Sequence, residues 1–345
     1  MDKKDEIISM QLDLIRSMAE NNMRRIGGDL WRNERGEKST PDKKKALDPS
    51  TAASLTEAKK ETPPKEDIPP KEDIDELKEE LSQYIGLTSV KAEVENLINM
   101  ATVYQMRREH DLPTTDLSLH MVFSGNPGTG KTMIARFMAR VYHSLGILSK
   151  GQLVEVDRSG LVAGYVGQTA IKTTKVLERA KGGVLFIDEA YTLTSKEGND
   201  FGYEAVDTIL KAMEDNRDDL VVIVAGYIDR METFIDSNPG LQSRFNKYLH
   251  FADYSGEEMA DIFLMQCEKN CYKPDGDAVN AMQEYLHMAA EAAGEFGNAR
   301  GVRNTFEKVL TAQANRLASM KEITREELMR ITKEDVQMAA YGKTE

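Results

Sequence analysis

Short apolar runs alternate with longer segments of helical periodicity through the middle of the chain. The apolar runs are predicted as strands at 119–124, 153–156, 183–187, 221–226 and 248–251. Between them, apolar residues recur at three- and four-residue spacing, for example over 133–142, and this spacing is typical of amphipathic helices. Because strands that alternate with helices pair in parallel, the pattern predicts a parallel five-stranded sheet with helices on both faces.

The pattern changes after Phe251, where the strand-like runs stop. Helical patterns follow at 255–270, 277–293, 301–320 and 333–340, and Thr332 is placed to cap the last of them. The sequence therefore predicts a large α/β domain over 76–252 and a small all-α lid domain over 253–345. A ligand bound at the sheet edge would lie in the crevice between the two domains.

Residues 1–75 differ from the rest of the chain in composition. Apolar residues over 5–26 fit one face of a helix, so 1–35 is predicted as an N-terminal helical segment. Residues 36–75 are rich in Pro, Lys and Glu and contain the sequence Pro-Pro-Lys-Glu-Asp-Ile twice in succession. Such a segment buries too little apolar surface to offset the entropy of ordering, which predicts a flexible linker.

The first predicted strand runs into a glycine-rich loop and then into a helix. The loop reads Gly-Asn-Pro-Gly-Thr-Gly-Lys-Thr and matches G-x-x-x-x-G-K-[ST], in which backbone N–H groups cradle phosphates. Lys131 would reach the terminal phosphates, and the Thr132 hydroxyl would ligate Mg²⁺. Because pattern, strand and helix coincide, a chance glycine turn is disfavoured, and ATP and Mg²⁺ are the predicted ligands. The predicted nucleotide contacts here are Gly125, Asn126, Pro127, Gly128, Thr129, Gly130, Lys131, Thr132 and Met133.

A second apolar strand, 183–187, ends in the acids Asp188 and Glu189. Acids at the end of a parallel strand lie at the edge of the sheet where ligands gather. Asp188 would hold Mg²⁺, and Glu189 has the position of a general base for the attacking water. The alternative is that the two acids cap the segment that follows them.

These two motifs together resemble those of AAA+ ATPases, and further segments narrow the resemblance. They are Ile85–Lys91, Asp188–Tyr191, Ala225–Tyr227, Asn238–Phe245 and Gly297–Asn304. In combination they resemble the CbxX/CfqX family, which includes red-type Rubisco activases and the stage V sporulation protein K group. The resemblance covers roughly residues 76 to 340 and implies ATP hydrolysis by a hexameric ring of identical subunits that remodels a protein substrate.

The resemblance also implies roles for particular residues. Ile85 and Gly86 would contact the nucleotide, as would Arg300 and, as a second choice, Arg303 in the sensor-2 segment. Arg244 would be the arginine finger that acts on the ATP of the neighbouring subunit; without the resemblance, a surface arginine with an ion-pair partner is the preferred interpretation. Ala225–Tyr227 stand where many relatives carry a polar sensor-1 residue, so sensor 1 stays unassigned.

A loop over 160–168 contains an aromatic residue between glycines. In AAA+ rings this place holds the pore loop, so Tyr165, Val166 and Gly167 are predicted to grip an extended polypeptide. The alternative is a surface loop whose tyrosine packs locally.

Composition and charge limit the kinds of partner and the cellular location that the sequence predicts. The chain has 345 residues, with 58 acidic and 45 basic side chains and a net charge of −13. The excess of acids argues against nucleic acid as a partner. No secretory signal or membrane-spanning run fits, and with only two cysteines, Cys267 and Cys271, the location is predicted to be cytoplasmic. Both cysteines are predicted to be small core residues on a helix.

Three functions stay open on the sequence. The first is a ring motor that remodels a protein through pore loops. The second is an ATP-driven switch or scaffold without threading, and the third is a nucleic-acid motor, for which the chain offers no basic pore residues and no DNA-binding appendage.

Overall fold

The computed structural model describes residues 68–113, 118–165, 167–194, 201–291 and 295–342. The predicted N-terminal helical segment, the linker up to residue 67 and Val166 lie outside these residues. Among the described residues, no helix is both long enough and apolar enough to span a membrane.

Five strands form one parallel sheet in the spatial order β2-β3-β4-β1-β5. Their bounds are β1 Met121–Gly125, β2 Leu153–Val156, β3 Val184–Ile187, β4 Val221–Gly226 and β5 Lys247–Phe251. The predicted five-stranded parallel sheet is confirmed. β4 lies between β1 and β3, so the phosphate-loop strand and the strand that ends in two acids are one strand apart, with their carboxyl ends at the same edge.

The helices of the α/β domain lie on both faces of this sheet. They are α1 Ile74–Gln83, α2 Thr88–Glu109, α3 Lys131–Ser144, α4 Arg158–Leu161, α5 Gln168–Ala180, α6 Gly202–Asp215, α7 Ile228–Asp236 and α8 Pro239–Arg244, with a 3₁₀ helix at Ala190–Thr194. α1 begins inside the last residues of the predicted linker, where the Asp73 carboxylate caps it by accepting the N–H of Asp75 at 2.7 Å.

Alternate residues of the same strand enter two separate cores. Met121 and Phe123 of β1 lie in a core that also contains the lid residues Phe263 and Val302. Val122, between them, lies in a second core with Phe245 and the helices α5 to α8. Side chains of successive strand residues point to opposite faces of a sheet, so burial on both faces explains the continuous apolar runs in the sequence.

The lid consists of helices that follow β5. They are α9 Gly256–Lys269, α10 Gly276–Glu291, α11 Asn298–Ala318, α12 Arg325–Met329 and α13 Lys333–Tyr341. Thr332 caps α13 in a capping box with Asp335, as predicted. α11 begins at Asn298, three residues before the predicted start at 301. The lid also contains a two-residue parallel pair, β6 Lys273–Pro274 with β7 Arg330–Ile331, which is too short to leave an alternating pattern.

The two cysteines have different surroundings. Cys267 is buried in the lid core, and this burial raises the pKa of its thiol to about 12. Cys271 is exposed and lies past the end of α9 with a φ of 60°. The prediction that both are core residues on a helix is therefore wrong for Cys271, because the chain turns left-handed there and leaves the helix. Among the described residues, no group of His, Cys, Asp and Glu forms a metal site.

Arg140 of α3 holds the start of the described chain against the helix of the phosphate loop. Its guanidinium donates to both oxygens of Glu72 and to both oxygens of Glu80. The Glu80 carboxylate also accepts the hydroxyl of Tyr84 at 2.6 Å. Pro69 is tied to the same helix, because its carbonyl lies 3.0 Å from Nε2 of His143. α1 is thereby fixed on α3 at the side of the sheet that faces the lid.

Candidate nucleotide site

A cleft of about 520 Å³ lies between the carboxyl edge of the sheet and the lid. Twelve of the predicted site residues line it: Ile85, Gly125, Pro127, Gly128, Gly130, Lys131, Thr132, Met133, Asp188, Glu189, Arg300 and Arg303. The structure thus brings the glycine-rich loop, the two acids and the two lid arginines together. The remaining wall consists of residues that were not predicted as nucleotide contacts: Gln83, Tyr84, Gly226, Tyr227, Tyr254, Ile262, Met265, Gln266 and Ala299.

Lys131 begins α3, and its ammonium group is folded back on the loop. Its Nζ donates to the carbonyl oxygens of Gly125 at 2.8 Å and Asn126 at 2.7 Å. Burial lowers the pKa of Lys131, and the Asp188 carboxylate acts in the opposite direction. A phosphate group placed in the cleft would offer this ammonium a charged acceptor in place of two neutral carbonyls.

Glu189 has an unusual backbone conformation at the end of β3. Its φ is 49°, in the left-handed region, which costs a side-chain-bearing residue on the order of 1 kcal/mol. The 3₁₀ turn that follows is closed by its carbonyl, which accepts the N–H of Thr192 at 2.9 Å and the hydroxyl of Thr192 at 2.7 Å. The Asp188 carboxylate also makes a local contact, because it accepts the N–H of Glu189 at 3.1 Å, and both acids line the cleft.

An aromatic pair stands beside the acids, at the place where sensor 1 stays unassigned. The rings of Tyr191 and Tyr227 lie 6.2 Å apart, and the Arg230 guanidinium lies 5.0 Å from the first ring centre and 5.5 Å from the second. These distances are within the range of cation–π contact. Because the arginine and the first tyrosine are thirty-nine positions apart in the sequence, no local pattern indicates that they meet.

Three predicted contacts lie behind the loop, outside the cleft wall. The Thr129 hydroxyl donates to the carbonyl of Asn126 at 2.8 Å, and the Asn126 amide donates to both oxygens of Asp253. Gly86 has a φ of 63°, and an added Cβ would lie 2.6 Å from the Glu258 carboxylate. These three residues shape the loop and its surroundings.

Arg244 does not reach the cleft of its own chain. It ends α8, where its Nη2 lies 3.2 Å from a carboxylate oxygen of Glu214. Its carbonyl accepts the hydroxyl of Ser118 at 2.7 Å, which ties it to the segment before β1. Next to it, His120 packs on Phe245 and accepts the N–H of Val222, and burial lowers the pKa of His120 to about 4. A neutral imidazole is therefore part of the support beneath this arginine.

Tyr165 and Gly167 of the predicted pore loop do not line the cleft. Tyr165 is 74% exposed, and no atom lies within 4 Å of a Cβ added at Gly164 or Gly167. The local-packing alternative for Tyr165 does not account for this exposure. Val166 lies outside the described residues.

Comparison with known proteins agrees with this architecture. Residues 121–253 match the model of the "ATPase family associated with various cellular activities (AAA)", and residues 255–345 match the AAA lid domain. In shape, the chain resembles a Thermotoga maritima RuvB mutant at a TM-score of 0.52 and 18% identity, covering 75% of this chain and 71% of that one. The fold and the cleft define an AAA+ ATPase.

Proteins of similar sequence identify the family within the AAA+ ATPases. The chain is 43% identical to protein CbbX of Cereibacter sphaeroides (78% of this chain, 88% of the relative). It is 41% identical to the chloroplastic Rubisco activase of Cyanidioschyzon merolae (76% and 89%) and 38% identical to stage V sporulation protein K of Bacillus subtilis (76% and 82%). The chain belongs to the CbxX/CfqX family of AAA+ ATPases, as its motifs predict, and it hydrolyses ATP.

Proposed function

We propose that the chain works as a ring motor that remodels a protein by gripping it with loops at a central pore. The observation that carries this proposal is the exposure of Tyr165, a large aromatic side chain held out between two glycines. An exposed aromatic side chain binds apolar and backbone surface of many sequences, which suits an extended polypeptide. The relatives' names include a Rubisco activase, and activation of an enzyme by remodelling is compatible with this chemistry.

Assembly into a ring is supported by the position of Arg244. A guanidinium supplies the charge that stabilises phosphoryl transfer, yet this one lies outside its own cleft and ends a surface helix. We propose that it enters the cleft of the neighbouring copy and leaves Glu214 when it does so. The number of subunits, predicted to be six, stays a prediction.

The residues of the cleft suit Mg-ATP. Thr132 and Asp188 provide oxygen ligands of the kind that Mg²⁺ prefers, beside the Lys131 ammonium. A bound Mg²⁺ would neutralise charge between the terminal phosphates. Lys131 would hold the terminal phosphate, Glu189 would orient and deprotonate the attacking water, and Arg300 would contact the phosphates from the lid.

The threading proposal is tested with Tyr165→Ala and its matched control Tyr165→Phe, which keeps the aromatic side chain. An unstructured polypeptide such as casein serves as the probe. We expect the basal ATPase rate of both variants to stay within about twofold of the unaltered chain, and stimulation by casein to be lost in Tyr165→Ala only. Equal stimulation of all three proteins would exclude gripping by this residue, and would favour the switch or scaffold function.

The trans-acting finger is tested by mixing two inactive variants. Arg244→Ala keeps an intact cleft, whereas Lys131→Ala keeps an intact finger. We expect each alone to hydrolyse ATP about 10³-fold more slowly than the unaltered chain, or more slowly still, which is the scale of the effect of an arginine finger on kcat. Mixed rings regain activity where an intact finger faces an intact cleft. If the mixture is as inactive as its components, the finger acts within its own chain or has been misassigned.

The remodelled protein can be captured with Glu189→Gln, which we expect to bind ATP and barely hydrolyse it, because an amide cannot act as the general base. Proteins retained by this variant in ATP, and absent when Tyr165→Ala is added to it, are the candidates. This comparison also separates pore contacts from contacts elsewhere on the ring.

A further inference from the structure

A cluster of polar contacts joins the lid to the phosphate loop; its members Asn298 and Tyr254 are buried, whereas its carboxylate, Asp253, is exposed. It consists of Asn298 at the start of α11, Asp253 and Tyr254 after β5, and the loop residues Asn126 and Pro127. We propose that Asn298 and Asp253 are positioning residues that lock the lid onto the phosphate loop and so set the affinity for nucleotide. The inference rests on the cleft being the ATP site and is independent of ring assembly or threading.

Asn298 makes three contacts to two parts of the chain outside α11, the phosphate loop and the segment that follows β5. Its Nδ2 donates to Asp253 Oδ1 at 2.8 Å and to the Pro127 carbonyl at 3.3 Å. Its Oδ1 accepts the backbone N–H of Tyr254 at 2.9 Å. The residue is only 5% exposed, so water does not compete well for these bonds.

Asp253 is the shared acceptor of the cluster. Its two oxygens accept from Asn126 Nδ2 at 3.0 and 2.9 Å, and one of them also accepts from Asn298. Because a carboxylate only accepts hydrogen bonds, the NH₂ groups of Asn126 in the loop and of Asn298 in the lid must both face Asp253, which fixes the orientation of both amides. Bonds to a charged acceptor are also stronger than bonds between neutral groups.

Backbone contacts continue the same junction. The N–H of Ala299 donates to the Gly128 carbonyl at 3.2 Å, and the Tyr254 hydroxyl lies 3.5 Å from the Thr129 carbonyl. Burial raises the pKa of Tyr254 to about 12, so this hydroxyl stays a donor at neutral pH. The loop is therefore held along four successive residues, 126–129, by Asp253 and Tyr254 after β5 and by the first residues of α11.

The lid arginines lie one turn from this junction. Arg300 follows Asn298 by two residues and Arg303 by five, and both line the cleft. On the other side, the Asn126 carbonyl accepts from Lys131 Nζ at 2.7 Å. One cluster thus sets the positions of the cationic groups on both sides of the nucleotide. Groups that are held in place before binding lose less entropy on binding.

A purely conformational role for Asn298 must be separated from this one. Its φ is 54°, and asparagine tolerates the left-handed region better than most residues. Asn298→Gly keeps that backbone conformation and removes the amide. If only the backbone mattered, this variant would bind nucleotide like the unaltered chain; we expect ADP to bind about 10-fold more weakly.

The sharper test exchanges the two side chains. Asn298→Asp alone places two carboxylates in contact, and we expect it to weaken ADP binding by more than about 10-fold. Adding Asp253→Asn restores one amide and one carboxylate: the amide oxygen still accepts from Asn126, its NH₂ donates to the new carboxylate, and that carboxylate still accepts from Tyr254. The exchange does not restore the 3.3 Å bond to the Pro127 carbonyl, because a carboxylate at position 298 has no donor. We expect the double variant to recover to within about threefold of normal affinity.

Fluorescent ADP binding below the melting range is the measurement, together with kcat and KM for ATP. Asn304→Ala, at an exposed position on the same helix, is the control and should leave affinity unchanged. KM should rise more than kcat falls, because the cluster does not touch the reacting atoms. The proposal is overturned if Asn298→Gly and Asn298→Asp, both folded by circular dichroism, bind ADP within about twofold of the unaltered chain. It is also overturned if the exchange gives no recovery.

Discussion

Gly128→Ala tests how closely the phosphate loop and the lid approach each other. Gly128 has a φ of 79°, and a Cβ added to it would lie 2.3 Å from the Gly297 carbonyl oxygen and 3.0 Å from the Arg300 nitrogen. Both neighbours are backbone atoms of the segment that begins α11, so rotation of a side chain cannot relieve the contact. The lid would have to move away by roughly 1 Å, as expected from ordinary van der Waals separations.

Gly167→Ala is the matched control. Gly167 has a φ of 75°, close to that of Gly128, but no atom lies within 4 Å of its added Cβ. Both substitutions therefore carry the left-handed penalty of about 1–2 kcal/mol. Only Gly128→Ala adds the cost of overpacking, about 1–3 kcal/mol.

The difference between the two variants is measured by fluorescent ADP titration and by urea unfolding. If the lid opens to relieve the contact, the overpacking energy appears as weaker ADP binding by about 5- to 150-fold relative to Gly167→Ala. If the lid cannot open, the same energy appears as a lower free energy of unfolding. Equal affinity and equal stability of the two variants would contradict the close approach of Gly128 and Gly297.

The remaining predictions concern the clamp on α3 and the two thiols. Arg140→Met should destabilise the chain by about 1 kcal/mol at neutral pH, because the clamp is partly exposed. Hydrogen bonds from Arg140 lower the pKa of Glu72 and of Glu80 below the usual 4.5. The difference in stability between the two proteins should therefore be complete above pH 4.5 and shrink as the pH falls through the lowered pKa values. Urea unfolding at several pH values measures this difference, and a difference that grows on acidification would contradict the assignment. With a maleimide, Cys271 should react at once and Cys267 only after unfolding, since Cys267 is 1% exposed. Mass spectrometry of the labelled peptides shows which thiol has reacted, and labelling of both thiols in the native protein would contradict the burial of Cys267.

Most of the fold was predictable because its signals are local. The phosphate loop is contiguous in sequence, and its strand and helix flank it, so Lys131 and Thr132 follow from one pattern. The five strands are buried on both faces and give continuous apolar runs. The cap at Thr332 likewise depends on a residue three positions away.

The features that the sequence did not indicate depend on distant residues or on backbone dihedrals. Asp253 and Asn298 meet across forty-five positions, and neither was among the predicted site residues. The left-handed φ of Cys271 belongs to a helix-ending turn in which the N–H of Tyr272 donates to the Cys267 carbonyl at 2.8 Å. Neither Cys271 nor Glu189, which is also left-handed, is a glycine, the residue type that usually marks this conformation in a sequence. The pair β6–β7 has two residues in each strand, fewer than an alternating pattern needs.

The division of the sheet into two faces has a mechanical consequence. The core on one face includes the lid, whereas the core on the other face includes Phe245 and the helices next to Arg244 and to the loop of Tyr165. Successive residues of β4, such as Val222 and Ile223, therefore pack into different cores on opposite faces of the sheet. Under the proposed ring function, a movement of the lid driven by nucleotide would be transmitted through this single layer of strands to the side that carries Arg244 and Tyr165.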